Sequence, residues 1–259
     1  MPVKLELLAP ARNKDIGIAA IDCGADAVYI AGPAFGAREA AGNSFGDIAV
    51  LTDYAHRFGA RVYLTLNTII FENELEEARR CVFSAVEAGC DALIVQDLGL
   101  LRMSIPQIEL HASTQCNIRT PEQARWLASL GFRKLVLARE LSLEQIREIS
   151  EAVPQCEIEC FVHGALCVCY SGQCYLSQYL TGRSANRGCC IQACRSRYDV
   201  KDASGNILLR DKAILSLKDL SLLDRLEQLA GAGATSFKIE GRLKNISYVR
   251  NIVRAYSEA

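Results

Sequence analysis

The hydrophobic and polar positions of the chain repeat as one amphipathic helix, one glycine and one strand. Five segments carry this unit: AIDCGADAVYIAG, YAHRFGARVYLTLNT, AVEAGCDALIVQD, LASLGFRKLVLARE and LAGAGATSFKIEG. In each of them the glycine stands where a left-handed residue closes a helix. The apolar runs that follow predict strands buried on both faces, as parallel strands covered by helices are.

Three further apolar runs raise the number of predicted strands to eight. They are KLELLAPA at the start, IELHASTQ in the middle and EIECFVHG before a cysteine-rich region. Eight strands alternating with helices predict an α/β fold, a single (β/α)8 barrel of the TIM type over residues 1–259. An open doubly wound sheet has the same alternation, but no glycine-rich dinucleotide fingerprint follows the first strand, so we favour the barrel.

The long departure from the repeat is an insertion over residues 164–216, between the seventh and eighth predicted strands. It contains many cysteines and the segment YDVKDASGNILLR, in which ASGN predicts the turn of a β-hairpin. Loops that follow barrel strands lie at the catalytic face. We therefore expect this insertion to cover the mouth of the barrel.

Polar side chains stand near the carboxyl ends of most predicted strands, where a barrel has its active site. The candidate catalytic residues are His111, His163, Arg139, Glu140, Lys238, Glu240 and Arg242. Alternation along a strand puts His111, Ser113 and Gln115 on one face, so we expect them to share a cavity.

The cations of this set indicate the kind of ligand. Arg139, Lys238 and Arg242 suit a small carboxylate or phosphate, because such anions are bound by guanidinium and ammonium groups. Alternatively, some of the charges pair with one another inside the barrel, for instance Lys238 with Glu140 or Glu240.

Composition narrows the class of protein. Half of the residues are hydrophobic and the formal net charge is -1. A domain that binds nucleic acid through its overall charge is strongly basic, so any RNA-binding surface here is local. The N-terminal segment lacks the apolar core of a secretory signal, and no apolar run is long enough to span a bilayer. We expect a soluble, cytoplasmic protein with no membrane partner, and the sequence leaves the oligomeric state open.

Eight of the twelve cysteines crowd into residues 156–194, which run from just before the seventh predicted strand into the insertion. In a reducing compartment such a group indicates metal ligation or catalysis rather than disulfides. The spacing differs from that of paired zinc knuckles, so we favour an iron–sulfur cluster over zinc. The candidate metal and cofactor ligands are Cys167, Cys174, Cys190 and Cys194. A thiolate nucleophile activated by His163, or a set of merely buried thiols, are the alternatives.

The segment ECFVHGALCVCYSGQCYLS resembles a family signature. It is similar to that of the collagenase-like peptidases of unassigned catalytic type, peptidase family U32, with Glu159, Cys167, Gly172 and Cys174 on matching positions. The resemblance extends along the chain through LLAPA, DAVYIAG, HASTQ, LARE, GRSANRG and KIEGR.

The resemblance implies one of two activities. Members are named as proteases or collagenases, whereas characterised bacterial relatives take part in oxygen-independent hydroxylation of a tRNA uridine, an rRNA cytidine or the ubiquinone ring. Several relatives carry a [4Fe–4S] cluster on family cysteines, and the RNA-modifying ones use prephenate as hydroxyl donor. By position, the ligands here are Cys167, Cys174 and Cys190. The fourth is either Cys194 or a residue near SLKDLS, where Ser221 has no thiol.

We therefore expect an iron–sulfur enzyme that hydroxylates a base of tRNA or rRNA. A small carboxylate, prephenate by resemblance, is held by the cations, and His111 or His163 moves protons. The alternatives are a collagenase-like peptidase and a non-catalytic, metal-stabilised RNA-binding module. Family members usually continue into a smaller C-terminal domain, which we expect to be absent here.

Overall fold

The computed structural model describes residues 4–37 and 42–259. Its strands are β1 (Glu6–Ala11), β2 (Ala27–Ala31), β3 (Arg61–Leu66), β4 (Ala92–Val95), β5 (Glu109–Ala112), β6 (Lys134–Val136), β7 (Glu157–Gly164), β8 (Tyr198–Lys201), β9 (Ile207–Lys212), β10 (Leu220–Ser221) and β11 (Ser236–Ile239). Eight of these strands run parallel in the order β7–β11–β1–β2–β3–β4–β5–β6, and β6 pairs with β7 to close the ring. The predicted (β/α)8 barrel is confirmed.

Helices cover the outside of the barrel. They are α1 (Lys14–Asp22), α2 (Phe45–Arg57), α3 (Leu75–Glu87), α4 (Pro121–Ser129), α5 (Leu143–Ala152), α7 (Leu226–Gly231) and α8 (Ile246–Ser257), whereas α6 (Leu176–Thr181) lies in the insertion described below. A short 3-10 helix, Leu98–Arg102, replaces the α-helix between β4 and β5. Within the described ranges, no helix combines the length and the apolar character that crossing a bilayer needs.

Local sequence signals explain where the helices begin and end. Asn13, Ser44 and Ser142 accept hydrogen bonds from backbone N–H groups in the first turns of α1, α2 and α5, which satisfies donors that a helix leaves unpaired. The glycines that end the helix in the five repeated segments have φ angles from +70° to +100°; they are Gly24, Gly59, Gly89, Gly131 and Gly233. The predicted left-handed turn between helix and strand is confirmed at all five positions.

The chain between β7 and β10, residues 165–219, forms the insertion. It contains α6 and the antiparallel pair β8–β9, in which Tyr198 pairs with Lys212 and Lys201 with Ile207; the predicted hairpin is confirmed. At its end, β10 pairs antiparallel with β7, placing Ser221 opposite His163. The insertion therefore begins and ends next to each other, at the carboxyl end of β7.

Candidate functional site

A cavity of about 360 Å³ lies between the carboxyl ends of the barrel strands and the insertion. The barrel side of its lining includes Tyr29, Asn67, Ser113, Gln115, Arg139, Phe161, Lys238, Glu240 and Arg242. The insertion side includes Cys167, Cys169, Tyr170, Cys174, Tyr175, Cys190 and Cys194.

The four cysteines predicted as ligands all line this cavity. Burial raises the pKa of the Cys194 thiol, and the nearby thiols of Cys190, Cys167 and Cys174 raise it further. All four are free thiols. Within the described parts of the chain, no three ligand side chains are already grouped around one point as a closed metal site would require. The donor type and the shared cavity fit an iron–sulfur cluster, which is bound by cysteine thiolates.

Ser221, the alternative fourth position, lies elsewhere. It belongs to β10, where it pairs with His163 of β7, and it does not line the cavity. Among the two candidates for the fourth ligand, only Cys194 shares the cavity with the other three cysteines.

Three cationic side chains alternate with two aromatic rings at the barrel end of the cavity. The Arg139 Cζ lies 4.2 Å from the centre of the Phe161 ring. The Lys238 Nζ lies 5.5 Å from that ring and 4.5 Å from the Tyr29 ring, and the Arg242 Cζ is 5.4 Å from Tyr29. The arrangement concentrates positive charge beside apolar surface, which favours an anionic ligand with an apolar part.

The counter-ion of Lys238 is a residue that sequence reasoning did not assign. Its Nζ lies 2.7 Å from Oε1 of Glu159, and the two residues are 4% and 0% exposed. Neither Glu140 nor Glu240 takes this place, so the predicted pairing is wrong. Alternation along β7 puts Glu159 on the same face as Phe161, and a carboxylate between the apolar residues Ile158 and Cys160 was the available signal.

A row of hydrogen bonds continues from Glu159 towards the amino ends of the strands. The Ser236 Oγ lies 3.1 Å from Oε2 of Glu159 and 2.7 Å from Oε1 of Glu6. The Lys134 Nζ lies 2.5 Å from Oε1 of Glu6 and 3.0 Å from Oε2 of Glu157. The charges in this row are each held by a partner, as the burial of Lys134 and Glu159 requires.

The structure does not bring His111 to the cavity. Its ring is fully buried inside the barrel, with Nε2 2.7 Å from Oε1 of Glu109 and its centre 4.6 Å from that of Tyr63. Burial lowers the pKa of His111. A carboxylate oxygen only accepts, so Nε2 is the donor of this hydrogen bond to Glu109. Ser113 and Gln115 do line the cavity. Two residues of a strand span about 6.6 Å, so His111 lies about that far below Ser113 inside the barrel and does not reach the cavity.

His163 faces away from the mouth, contrary to expectation. Lys238 pairs with Phe161 but the next residue, Ile239, pairs with His163, so β7 contains one extra residue at this point. Such a bulge interrupts the alternation of side chains. The His163 Nδ1 lies 3.3 Å from the Tyr256 hydroxyl on α8, outside the barrel.

Glu140 and Glu240, the two carboxylates predicted for the site, differ in whether they line the cavity. Glu240 lines the cavity. Glu140 does not; its Oε1 lies 3.5 Å from Nη1 of Arg119 and accepts a 3.4 Å hydrogen bond from the Ser171 N–H. Glu140 therefore connects the barrel to the insertion, while Glu240 belongs to the wall of the cavity.

Arginines of the insertion hold it in place. Arg195 donates to the carbonyl oxygens of Leu166, at 2.5 Å, and Leu217, at 2.6 Å, near the two ends of the insertion. Arg187 binds both carboxylate oxygens of Glu74, at 2.6 and 3.0 Å. These two guanidinium groups therefore have a structural role in fixing the cysteine-bearing segments over the barrel.

Known proteins with similar sequences fall into two groups by name. The chain is 56% identical over 255 residues to the 23S rRNA 5-hydroxycytidine C2501 synthase of Escherichia coli, covering 98% of this chain and 39% of that protein. It is 36% identical over 263 residues to the tRNA hydroxylation protein P1 of Bacillus subtilis, covering 98% and 62%. It is 35% identical over 268 residues to a collagenase of Porphyromonas gingivalis, covering 98% and 64%. The chain thus spans less than two thirds of the length of each of these relatives.

A solved structure and a protein-family model point to the same family as these relatives. The solved structure of the U32 peptidase Mk0906 superimposes with a TM-score of 0.59 at 12% identity, covering 93% of this chain and 94% of that one, which shows a shared fold. Residues 12–259 match the pattern of Peptidase family U32. The resemblance seen in the sequence is confirmed, and the chain belongs to peptidase family U32.

Proposed function

We propose that this chain is the barrel of an iron–sulfur enzyme that hydroxylates a base of RNA with the help of a small carboxylate. The observation that carries the proposal is one cavity lined by four cysteine thiols on one side and three cations on the other. The names of the E. coli and B. subtilis relatives, an rRNA hydroxycytidine synthase and a tRNA hydroxylation protein, support the reaction type.

Thiolates are soft donors, so they bind iron–sulfur clusters in preference to hard cations such as Mg²⁺. The proposed ligands of a [4Fe–4S] cluster are Cys167, Cys174, Cys190 and Cys194. Bound there, such a cluster supplies electron transfer or Lewis acidity beside the cavity. The chain's contribution is to hold the thiols over the barrel mouth through Arg187 and Arg195.

The cationic end of the cavity is the proposed site of the carboxylate. Arg139, Lys238 and Arg242 offer charge-assisted hydrogen bonds, and the rings of Tyr29 and Phe161 offer apolar contact. Prephenate, the hydroxyl donor that the family resemblance implies, has one carboxylate on a partly apolar ring and a second on the side chain of that ring, and it matches this combination. Proton transfer falls to Glu240 in this scheme, since its carboxylate lines the cavity whereas His111 and His163 do not.

RNA is proposed to approach from the insertion side. Tyr170 and Tyr175 line the cavity with 57% and 60% of their surface exposed, and Tyr179 on α6 is 87% exposed. Aromatic rings of this kind stack on unpaired bases. The near-zero net charge fits recognition by such local contacts rather than by a strongly basic surface.

The test is mass spectrometry of RNA nucleosides from cells with and without the gene, complemented by variants. We expect one hydroxylated pyrimidine nucleoside to disappear without the gene and with Cys167→Ala. Cys169→Ala is the matched control, because Cys169 lines the same cavity but is outside the proposed ligand set. Nucleosides that are identical in all strains contradict hydroxylation, and tight RNA binding without a change in base mass favours a non-catalytic RNA-binding module.

A collagenase-like peptidase is the second candidate, favoured by the name of the P. gingivalis relative. A cysteine peptidase needs a base within hydrogen-bond reach of its thiolate. No histidine is among the described residues that line the cavity, and His163 instead contacts Tyr256. Cleavage of gelatin by highly purified protein, abolished by one cysteine substitution with iron content intact, would establish this activity.

A further inference from the structure

Lys238 has the surroundings of a lysine that reacts as an amine. It lies on β11, lines the cavity and is only 4% exposed. The Tyr29 and Phe161 rings stand 4.5 and 5.5 Å from its Nζ, so the ammonium group is largely removed from water. Desolvation between apolar groups is one of the ways in which proteins activate a lysine nucleophile.

The groups around Lys238 shift the pKa of its ammonium group in opposite directions. Burial lowers its pKa most, and the cations Arg242 and Lys134 lower it further, while Glu159 raises it. The net direction is downwards. A lowered pKa increases the share of the neutral amine, which is the nucleophilic form.

Glu159 provides the proton acceptor that this chemistry requires. Its Oε1 lies 2.7 Å from the Lys238 Nζ, and its Oε2 lies 3.1 Å from the Ser236 hydroxyl. The residue is fully buried. A carboxylate at this distance can take a proton from the ammonium group and later return it to a departing oxygen.

We propose that Lys238 forms an imine with the carbonyl carbon of a 2-oxo carboxylic acid bound in the cavity. The Lys238 ammonium gives one proton to Glu159, and the nitrogen attacks the carbonyl carbon. The carbonyl electron pair moves to the oxygen, which takes up the second ammonium proton to give a carbinolamine. Glu159 then returns its proton to that hydroxyl, and the C–O bond breaks to release water. Overall, one ammonium and one ketone give one protonated imine and one water, and no oxidant or reductant is consumed.

The cavity also supplies groups for the carboxylate of such an acid. Arg139 and Arg242 line it together with Lys238. Arg139 donates from Nη1 to the Ala165 carbonyl at 2.8 Å, while its buried Nε has no hydrogen-bond partner among the described residues. The imine thus rests on the anion-holding role proposed above, and the experiment below separates the two.

A second buried lysine provides an internal control. Lys134 has 0% exposure and also lies inside the barrel, but it does not line the cavity and it contacts two carboxylates, Glu6 and Glu157. Its pKa is raised by Glu159, Glu6 and Glu157 despite burial. Lys134 should therefore stay charged and unreactive where Lys238 reacts.

The experiment is reductive trapping with pyruvate and sodium borohydride, followed by peptide mass mapping. Borohydride reduces an imine to a stable secondary amine, so the label marks the reacting lysine. We expect the carboxyethyl label on Lys238 and its loss in Lys238→Arg, a variant that keeps a cation opposite Glu159. Glu159→Gln should reduce the label while leaving the amine in place. Circular dichroism verifies that both variants fold.

The outcomes separate the imine proposal from the proposed carboxylate site. Lactate has the carboxylate of pyruvate but a hydroxyl group in place of its ketone. A label that is confined to Lys238 and suppressed by excess lactate supports both the imine and the anion site. A label on Lys238 that lactate does not suppress supports the imine and contradicts the proposed carboxylate site. Lactate binding by calorimetry without any label on Lys238, or a label spread only over exposed lysines, overturns the imine and leaves the proposed function standing.

Discussion

At the scale of single residues, the barrel interior contains charges where apolar layers are usual. Lys134 illustrates how they are accommodated, because its ammonium group contacts Glu6 at 2.5 Å and Glu157 at 3.0 Å. Removing one member of a buried pair leaves the other charge without compensation, which costs more than the pair itself contributes. Stability should therefore respond strongly to substitutions that delete one charge.

Lys134→Met should destabilise the fold by about 3–5 kcal/mol, because Glu6 loses its principal counter-ion inside the barrel. Urea unfolding measures the change. The matched control is Lys201→Met on the exposed strand β8, which should stay within about 0.5 kcal/mol of wild type. Equal free energies of unfolding for the two variants would contradict the role of Lys134.

Glu109 should make stability depend on acid pH. Its hydrogen bond from His111 lowers its pKa from 4.5 to about 2. Because the folded-state pKa lies below the unfolded value, the stabilisation is present above pH 4.5 and is lost as the pH falls towards 2. The stability difference between wild type and Glu109→Gln should therefore shrink over this interval.

The measurement is thermal or urea unfolding of both proteins from pH 5 to pH 2, over the interval set by these pKa values. Glu87→Gln, an exposed position on α3, is the control and should follow the wild-type profile. A Glu109→Gln profile parallel to wild type throughout would show that this carboxylate is not linked to folding.

At the scale of elements, the segment between β7 and α6 depends on one close backbone approach. Gly172 has a φ angle of +70°, and a Cβ there would lie 2.1 Å from the Gln115 carbonyl oxygen. Only glycine allows both the left-handed conformation and this contact. The contact fixes a turn that lies between Cys167 and Cys174, so it helps to place both thiols at the cavity.

Gly172→Ala should cost more stability than Gly182→Ala. Gly182 has a similar φ angle, +74°, but nothing lies within 4 Å of a Cβ at that position. The control variant thus carries only the left-handed penalty of about 1–2 kcal/mol, whereas Gly172→Ala adds the steric displacement and should also lower bound iron per chain. Urea unfolding and iron analysis measure the two effects, and identical values for both variants would refute the argument.

At the scale of the whole molecule, the barrel and the insertion should differ in how far their folding depends on the proposed iron–sulfur cluster. The four proposed ligands all belong to the insertion, while the barrel has its own apolar core. Removal of iron by a chelator should therefore leave the far-ultraviolet circular dichroism nearly unchanged. Limited proteolysis should increase within residues 165–219 only. Cooperative loss of all structure on chelation would contradict this division.

The sequence was sufficient for the fold and for part of the site. The strand count, the hairpin and the glycine turns follow from local patterns, whereas the cavity lining depends on depth and on register. His111 and Ser113 obey the same alternation but lie at different levels of the barrel. The bulge that turns His163 outward arises from pairing with β11, which is far away in sequence. Glu159 could be recognised as the partner of Lys238 only once β7 and β11 were neighbours.

The pairing of β10 with β7 has a consequence for the evolution of the family. Leu220 lies opposite Gly164, so the whole insertion is closed at its base by strand pairing before the chain continues to α7. For a loop closed in this way, doubling the length costs only about 0.6 kcal/mol of closure entropy. Descendants of this chain can therefore lengthen, shorten or exchange the segment that covers the cavity while inheriting an unaltered barrel.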